Sequence, residues 1–215
     1  MSFKRNAFNF FIHLLRQGLK IAGNTGSQIS SALIEGLNPI TSIKTKRGTF
    51  QFFCPGRLPL NRAKTLLTKE PETIEWIDGF EENSVFWDIG ANIGIYSCYA
   101  AKRYDCKVYA FEPSIFNLEL LGKNISLNKL TNRILVVPIP LTEQLLENTL
   151  NMSTTEWGGS LSTFGQNYSY DGSELIKQFE YRTIGISMDQ LTNLLKFSKP
   201  DYIKMDVDGI EHLIL

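Results

Sequence analysis

Histidine is nearly absent from this 215-residue chain, with only His13 and His212, and cysteine is sparse, with Cys54, Cys98 and Cys106. No two cysteines form a C-x-x-C pair, so a dedicated zinc site has too few ligands. An odd number of scattered cysteines reads as buried, reduced thiols in a reducing compartment. An excess of either charge is missing too: 22 Lys and Arg face 22 Asp and Glu. That balance argues against a nucleic-acid partner, since affinity for a phosphate backbone needs concentrated positive charge. Long apolar runs are also lacking. The N-terminal cluster Phe8, Phe10, Phe11, Ile12, Leu14 and Leu15, flanked by Lys4, Arg5, Arg16 and Lys20, is far shorter than the roughly 20 residues that span a bilayer. No small-residue cleavage site follows it. The expectation is a cytoplasmic protein whose first helix packs on the domain; a peripheral membrane or partner contact through that helix is the alternative. The sequons at Asn124, Asn151 and Asn167 are no more than chance supplies.

What is present is ordinary globular material, 43% apolar and 20% charged, arranged in two manners. Residues 1–42 read as an N-terminal helical extension, broken at Gly23-Asn24-Thr25-Gly26 and stopped by Gly36 and Asn38-Pro39. Residues 43–215 read as one domain. Within it Ile43 to Phe53 suggests a β-hairpin about Arg47-Gly48. Residues 61–80 look helical, with Leu66, Leu67, Ile74, Trp76 and Ile77 turned to the core and Pro71 as an interruption. Val85-Phe86-Trp87, Val108 to Phe111, Ile134 to Val137 and Tyr202 to Met205 are short continuous apolar runs separated by helical stretches. That alternation predicts an α/β fold with a buried parallel sheet and flanking helices. The polar stretch from Thr142 to Arg182 is too long for a tight connection and reads as a lid or binding loop; its Trp157, Tyr168 and Tyr170 suit a sugar-like ligand. A short strand and a helix follow between Thr183 and Leu195.

Chemistry concentrates at the ends of the strands. Asp88-Ile89-Gly90-Ala91-Asn92-Ile93-Gly94 lies directly after one strand and before a helix, where open parallel sheets bind nucleotides. A dinucleotide fingerprint needs G-x-G-x-x-G, but Asn92 holds the second glycine position and Gly94 comes too early for the third. An acid followed by alternating glycines suits S-adenosylmethionine, whose binding turn cradles no phosphate. Asn92 is compatible with the turn because asparagine tolerates left-handed backbone angles. Glu112 ends the next strand, about twenty residues on, where a carboxylate accepts hydrogen bonds from both ribose hydroxyls. The bland alternative is that Asp88 and Glu112 only cap helices.

Val85 to Lys102 (VFWDIGANIGIYSCYAAK), Phe111 to Ser114 (FEPS) and Ile203 to Glu211 (IKMDVDGIE) together resemble the FkbM family of methyltransferases, and the hairpin and the segments around Arg62 and Trp76 to Phe80 are similar to it as well. The resemblance implies a class I methyltransferase fold (Rossmann-like) that transfers the methyl group of S-adenosyl-L-methionine to a hydroxyl of a sugar, glycan or secondary metabolite. It assigns Asp88, Gly90, Ala91, Asn92 and Gly94 to the cofactor turn and Glu112 to the ribose. Pro113, Ser114 and Asn117 would shape that edge, with the adenine near Pro140 to Thr142, at Leu141. Asp208 and Ile210 stand where family members often have Glu and His, whereas Asp206, Gly209 and Glu211 match the pattern.

Methyl transfer to oxygen is an in-line displacement that gains from alignment and from a positioned base. Asp206, then Glu211, then His212 are the candidates for that base; simple helix capping by Asp206 and Asp208 is the alternative, and no metal is assigned. A complete fold of this class carries three strands beyond the one ending at Asp206, so the chain reads as truncated after its fourth core strand. An apolar edge left there invites pairing with another chain, a homo-oligomer among the outcomes. Two competing readings remain: a non-catalytic cofactor-binding or scaffold module tied to glycan assembly, and an NAD-dependent oxidoreductase.

Overall fold

The computed structural model describes residues 2–102, 106–168 and 172–207. The chain divides into two compact units, Met1–Pro39 and Ile40–Leu215. In the first, helices α1 (Ser2–Ile21) and α2 (Gly23–Gly36) pack on each other. The glycine-rich segment expected to form the turn instead begins α2. Among the described residues no helix is long and apolar enough to cross a membrane.

The second unit opens with an antiparallel hairpin, β1 (Ile40–Thr45) and β2 (Gly48–Phe53), which starts three residues before the apolar pattern suggested. Helices α3 (Arg57–Lys64) and α4 (Pro71–Asp78) follow. Pro71 does not interrupt a helix; it starts one, at a position whose N–H would be unpaired anyway. Leu66, Ile74 and Ile77 are buried as expected, but Leu67 and Trp76 are more than a third exposed.

The central sheet is parallel, in the order β5-β4-β3-β9. Its strands are β3 (Val85–Ile89), β4 (Lys107–Phe111), β5 (Ile134–Val137) and β9 (Tyr202–Met205). The two-residue period sorts their side chains. Phe86, Val108, Ala110 and Ile134 face one core with the hairpin and helices α5 (Ile95–Ala101) and α6 (Ile115–Leu127). Trp87, Ile89, Tyr109, Phe111 and Val137 face a second core with Leu191 of α7 (Met188–Leu194). All three cysteines are buried in the first core as thiols.

Residues 142–182 correct the expectation of a loop. They form most of a three-stranded antiparallel sheet, β6 (Leu146–Met152), β7 (Ser162–Phe164) and β8 (Phe179–Gly185), ordered β7-β6-β8. Leu150, Met152 and Phe164 form a small buried apolar core there, with Phe116 and Tyr181 packed against it. Tyr170, Asp208, Gly209, Ile210, Glu211 and His212 lie outside the described residues.

Candidate functional site

From β3 the sheet grows through β4 to β5 on one side, and β9 pairs on the other. The chain therefore reverses its winding between β3 and β9, and ligands of open α/β sheets bind in the crevice at that reversal, beyond the carboxyl ends of the strands. The glycine turn after β3, Glu112 after β4, Leu141 beyond β5 and Asp206 after β9 converge there and line one pocket.

The turn is held from below. The Gly90 and Ala91 N–H groups both donate to the Phe111 carbonyl, at 3.0 and 2.9 Å, and the Asp206 N–H donates to the Ile89 carbonyl at 2.9 Å. Gly90 has φ +83°, and a Cβ there would lie 2.0 Å from the Asp206 carbonyl oxygen, so any other residue would push β9 from the turn. Asn92 adopts φ 51°, the left-handed conformation expected of it. Gly94 faces Leu121 of α6 and lies outside the pocket lining.

Glu112 is 5% exposed, yet its carboxylate borders the pocket. Oε2 accepts from the Asn92 N–H at 2.7 Å and Oε1 from the Ser114 N–H at 2.8 Å. It caps no helix; it ties the turn after β3 to the end of β4 and keeps lone pairs for a ligand. Burial pushes its pKa up to about 7, against the pull of the Ser114 and Asn92 N–H groups, the Asn117 side chain and the Arg62 charge. Asp88 lies beneath the turn, 1% exposed, with Oδ2 accepting from Ser97 Oγ at 2.5 Å and Oδ1 buried without a partner. Its carboxyl is also raised, first by burial, with Lys204 and Ser97 opposing and Asp206 adding.

Of the remaining expected residues, Pro113, Asn117 and Leu141 line the pocket. Ser114 is buried and contributes its N–H to Glu112, and Ala91 faces a neighbouring recess. That recess adjoins the turn and gathers paired charges. Lys204 Nζ is 3.1 Å from Asp206 Oδ2, Lys69 Nζ 2.9 Å from Glu70 Oε1, and the Tyr96 hydroxyl donates to Glu70 Oε2 at 3.0 Å. Asp206 and Arg62 border both spaces.

Several lining groups carry no motif that sequence reading could use. Arg62 arrives from α3, and Gly159, Ser160, Ser162 and Phe164 arrive from β7 and the connection between β6 and β7. A Gly-Gly pair in a polar stretch announces a turn, not what the turn will touch. The cofactor implied by the resemblance fits this set: Phe111, Ile139, Pro140 and Leu141 offer an apolar slot for a purine, and Glu112 offers acceptors to a ribose diol. That cofactor is S-adenosylmethionine.

Comparison with known proteins agrees. The model of the methyltransferase FkbM domain matches residues 88–215. The hexuronic acid methyltransferase AglP of Haloferax volcanii is 30% identical over 135 residues, covering 63% of this chain and 50% of the relative, so the chain spans half that protein's length. Among solved structures, the SAM-dependent methyltransferase from Agrobacterium tumefaciens is 13% identical over 49% of this chain and 34% of its own, with a TM-score of 0.36. Methanocaldococcus jannaschii Trm5 in complex with adenosine is 24% identical over 47% and 30%, with a TM-score of 0.33.

Proposed function

The chain belongs to the FkbM methyltransferase family, and from that premise we propose that it methylates a hydroxyl of an acidic sugar, using S-adenosylmethionine. The acidic sugar is suggested by the relative that acts on hexuronic acid. The observation that carries the reading is the convergence of Glu112, the Gly90–Asn92 turn and the Asp206 carboxylate on one pocket at the reversal of the sheet.

In this reading Glu112 holds the ribose, the apolar slot at Leu141 takes the adenine, and the charge-paired recess beside the turn takes the amino-acid end. S-adenosylmethionine supplies an electrophilic methyl group on a sulfonium. The protein's own part is alignment and proton transfer. Asp206, with its side chain 56% exposed and ion-paired to Lys204, receives the hydroxyl proton as the acceptor oxygen takes the methyl group. Exposure lets it reach a substrate, and its backbone bond to Ile89 fixes where it stands.

The test is transfer of labelled methyl groups from S-adenosylmethionine to uronic acid saccharides, beside titration with S-adenosylhomocysteine. Asp206→Asn should lower turnover by about 10²-fold or more, the usual scale for a lost general base, while S-adenosylhomocysteine remains bound at saturating concentration. A wild-type chain that binds S-adenosylhomocysteine yet methylates no sugar would favour the non-catalytic scaffold instead.

A further inference from the structure

Trp157 is an exposed tryptophan, 39% accessible, on a turn with little freedom to move. Arg62 Nε donates to the Gly158 carbonyl at 2.7 Å, and the Gly158 N–H donates to Asn117 Oδ1 at 2.9 Å. Asn92 Nδ2 and Asn117 Nδ2 both donate to the Gly159 carbonyl, at 2.7 and 3.1 Å. Gly158 itself has φ +75°, and a Cβ there would meet the Pro59 backbone at 3.3 Å. The backbone that carries the indole is thus held in place by side chains that also wall the candidate pocket. A large ring kept exposed on a tethered turn is positioned for a ligand, since little backbone entropy remains to be lost on binding.

Beside that ring runs a groove of about 700 Å³. Pro55, Leu58 and Phe116 give it apolar walls, and Asn61 and Glu156 give it hydrogen-bonding groups. Arg57, exposed on the first turn of α3, also lines it, and its side chain makes no ion pair or hydrogen bond among the described residues. The groove is separate from the cofactor pocket but shares its wall. Asn61 and Arg62, Phe116 and Asn117, and Trp157 and Gly159 are pairs from the same three segments, the first of each lining the groove and the second the pocket.

A flat aromatic face, apolar walls, amide and carboxylate hydrogen-bonding groups and one unpaired guanidinium match the chemistry of an acidic saccharide. The C–H faces of a pyranose pack on an indole, hydroxyls pair with the polar groups, and a carboxylate pairs with Arg in two parallel hydrogen bonds. A single free cation beside Glu156 is poorly suited to a polyphosphate backbone. We propose that this groove binds the part of an acidic oligosaccharide acceptor that lies beyond the sugar being methylated, with Trp157 stacking on a ring and Arg57 pairing with a uronate carboxylate. The inference rests on the sugar-methyltransferase reading above and adds to it a second, non-reacting subsite.

The experiment is calorimetric titration of the full chain, saturated with S-adenosylhomocysteine, with trigalacturonate and with its carboxyl-reduced, neutral counterpart. Trigalacturonate should bind at least tenfold more tightly than the neutral trisaccharide. Trp157→Ala should weaken both by tenfold or more, and Trp157→Phe should restore most of the loss. Arg57→Ala should bring trigalacturonate down to the affinity of the neutral sugar. Affinity for S-adenosylhomocysteine should be unchanged in all three variants, which shows that the fold and the shared wall survive. Wild-type affinity in Trp157→Ala and Arg57→Ala overturns the groove, as does a chain that binds S-adenosylhomocysteine but neither trisaccharide. A wild-type chain that does not bind S-adenosylhomocysteine overturns the methyltransferase reading itself, and the groove with it.

Discussion

Gly90 and Glu112 show how much a single residue decides in this site. At Gly90 the backbone is left-handed and the Asp206 carbonyl occupies the space of a side chain, 2.0 Å from where a Cβ would sit. Gly90→Ala combines about 1–2 kcal/mol of left-handed strain with displacement of β9. Urea denaturation should register a loss of at least about 2 kcal/mol, and binding of S-adenosylhomocysteine should fall below detection. At Glu112 the same burial that shapes the pocket raises the carboxyl pKa to about 7. Its folded value lies above the unfolded one, so between roughly pH 4.5 and 7 the folded state holds the extra proton and stability falls as pH rises. Ligand binding runs the other way, because a ribose diol needs the ionised acceptor. Affinity for S-adenosylhomocysteine should therefore climb through pH 7 and level off above it, and Glu112→Gln should remove that rise and bind about tenfold more weakly. A flat wild-type profile across pH 6 to 8 would refute the assignment of Glu112 to the ribose.

Among the elements, α6 does more than cover the sheet. Asn124 and Asn128, one turn apart, bond the β2 edge: Asn124 Oδ1 accepts from the Phe53 N–H at 2.8 Å, and Asn128 Oδ1 accepts from the Gln51 N–H at 3.0 Å. Asn124 Nδ2 also donates to the Ile93 carbonyl at 2.8 Å, so one amide joins the hairpin, the glycine turn and the helix. Asn124 is fully buried. Replacing it by Ala strands a buried donor and a buried acceptor at about 1–3 kcal/mol each. Asn124→Ala should lower unfolding free energy by about 2–4 kcal/mol in denaturant titration. Asn124→Asp, which keeps the acceptor but sets a buried carboxylate against the Ile93 carbonyl, should cost at least as much at neutral pH. The sequon reading of Asn124 as a chance match is consistent with this burial, which leaves no room for a glycan.

On the scale of the whole unit, the three cysteines sample a single core. Cys54 follows the hairpin, Cys98 lies in α5 and Cys106 precedes β4, and all are buried in the core beneath the hairpin. Burial pushes the Cys98 thiol up to about 12, with the Asp88 charge adding and Lys102 opposing, and burial also raises Cys54. A thiol reagent reacts with thiolate, so the native protein at pH 8 should resist alkylation at all three positions. The three should then become reactive together, at one urea concentration, because they share a cooperative core. Separate onsets would show that the hairpin opens independently of the sheet.

The parallel strands, the glycine turn, Glu112 and Asp206 were legible in the order of residues because each rests on local chemistry. A buried parallel strand needs a continuous apolar run, a left-handed turn needs Gly or Asn, and an acid at a strand end stands out against both. The stretch from Thr142 to Arg182 was not legible as a sheet. β7 is three residues long, and β8 alternates but turns only half-buried side chains inward, so neither offers the continuous apolar run that marks the parallel strands. Arg62, Gly159, Ser160 and Phe164 could not be assigned to the pocket for a related reason. Nothing in their own neighbourhoods records that α3 and a distant turn are pinned together by the Arg62–Gly158 and Asn117–Gly158 bonds. The sequence by itself determined the family and the strand-end half of the candidate pocket, since both are written in contiguous motifs whose backbone demands are local. Tertiary structure alone decided the other wall and the groove beyond it, because hydrogen bonds between segments far apart in the chain leave no periodic trace in either partner.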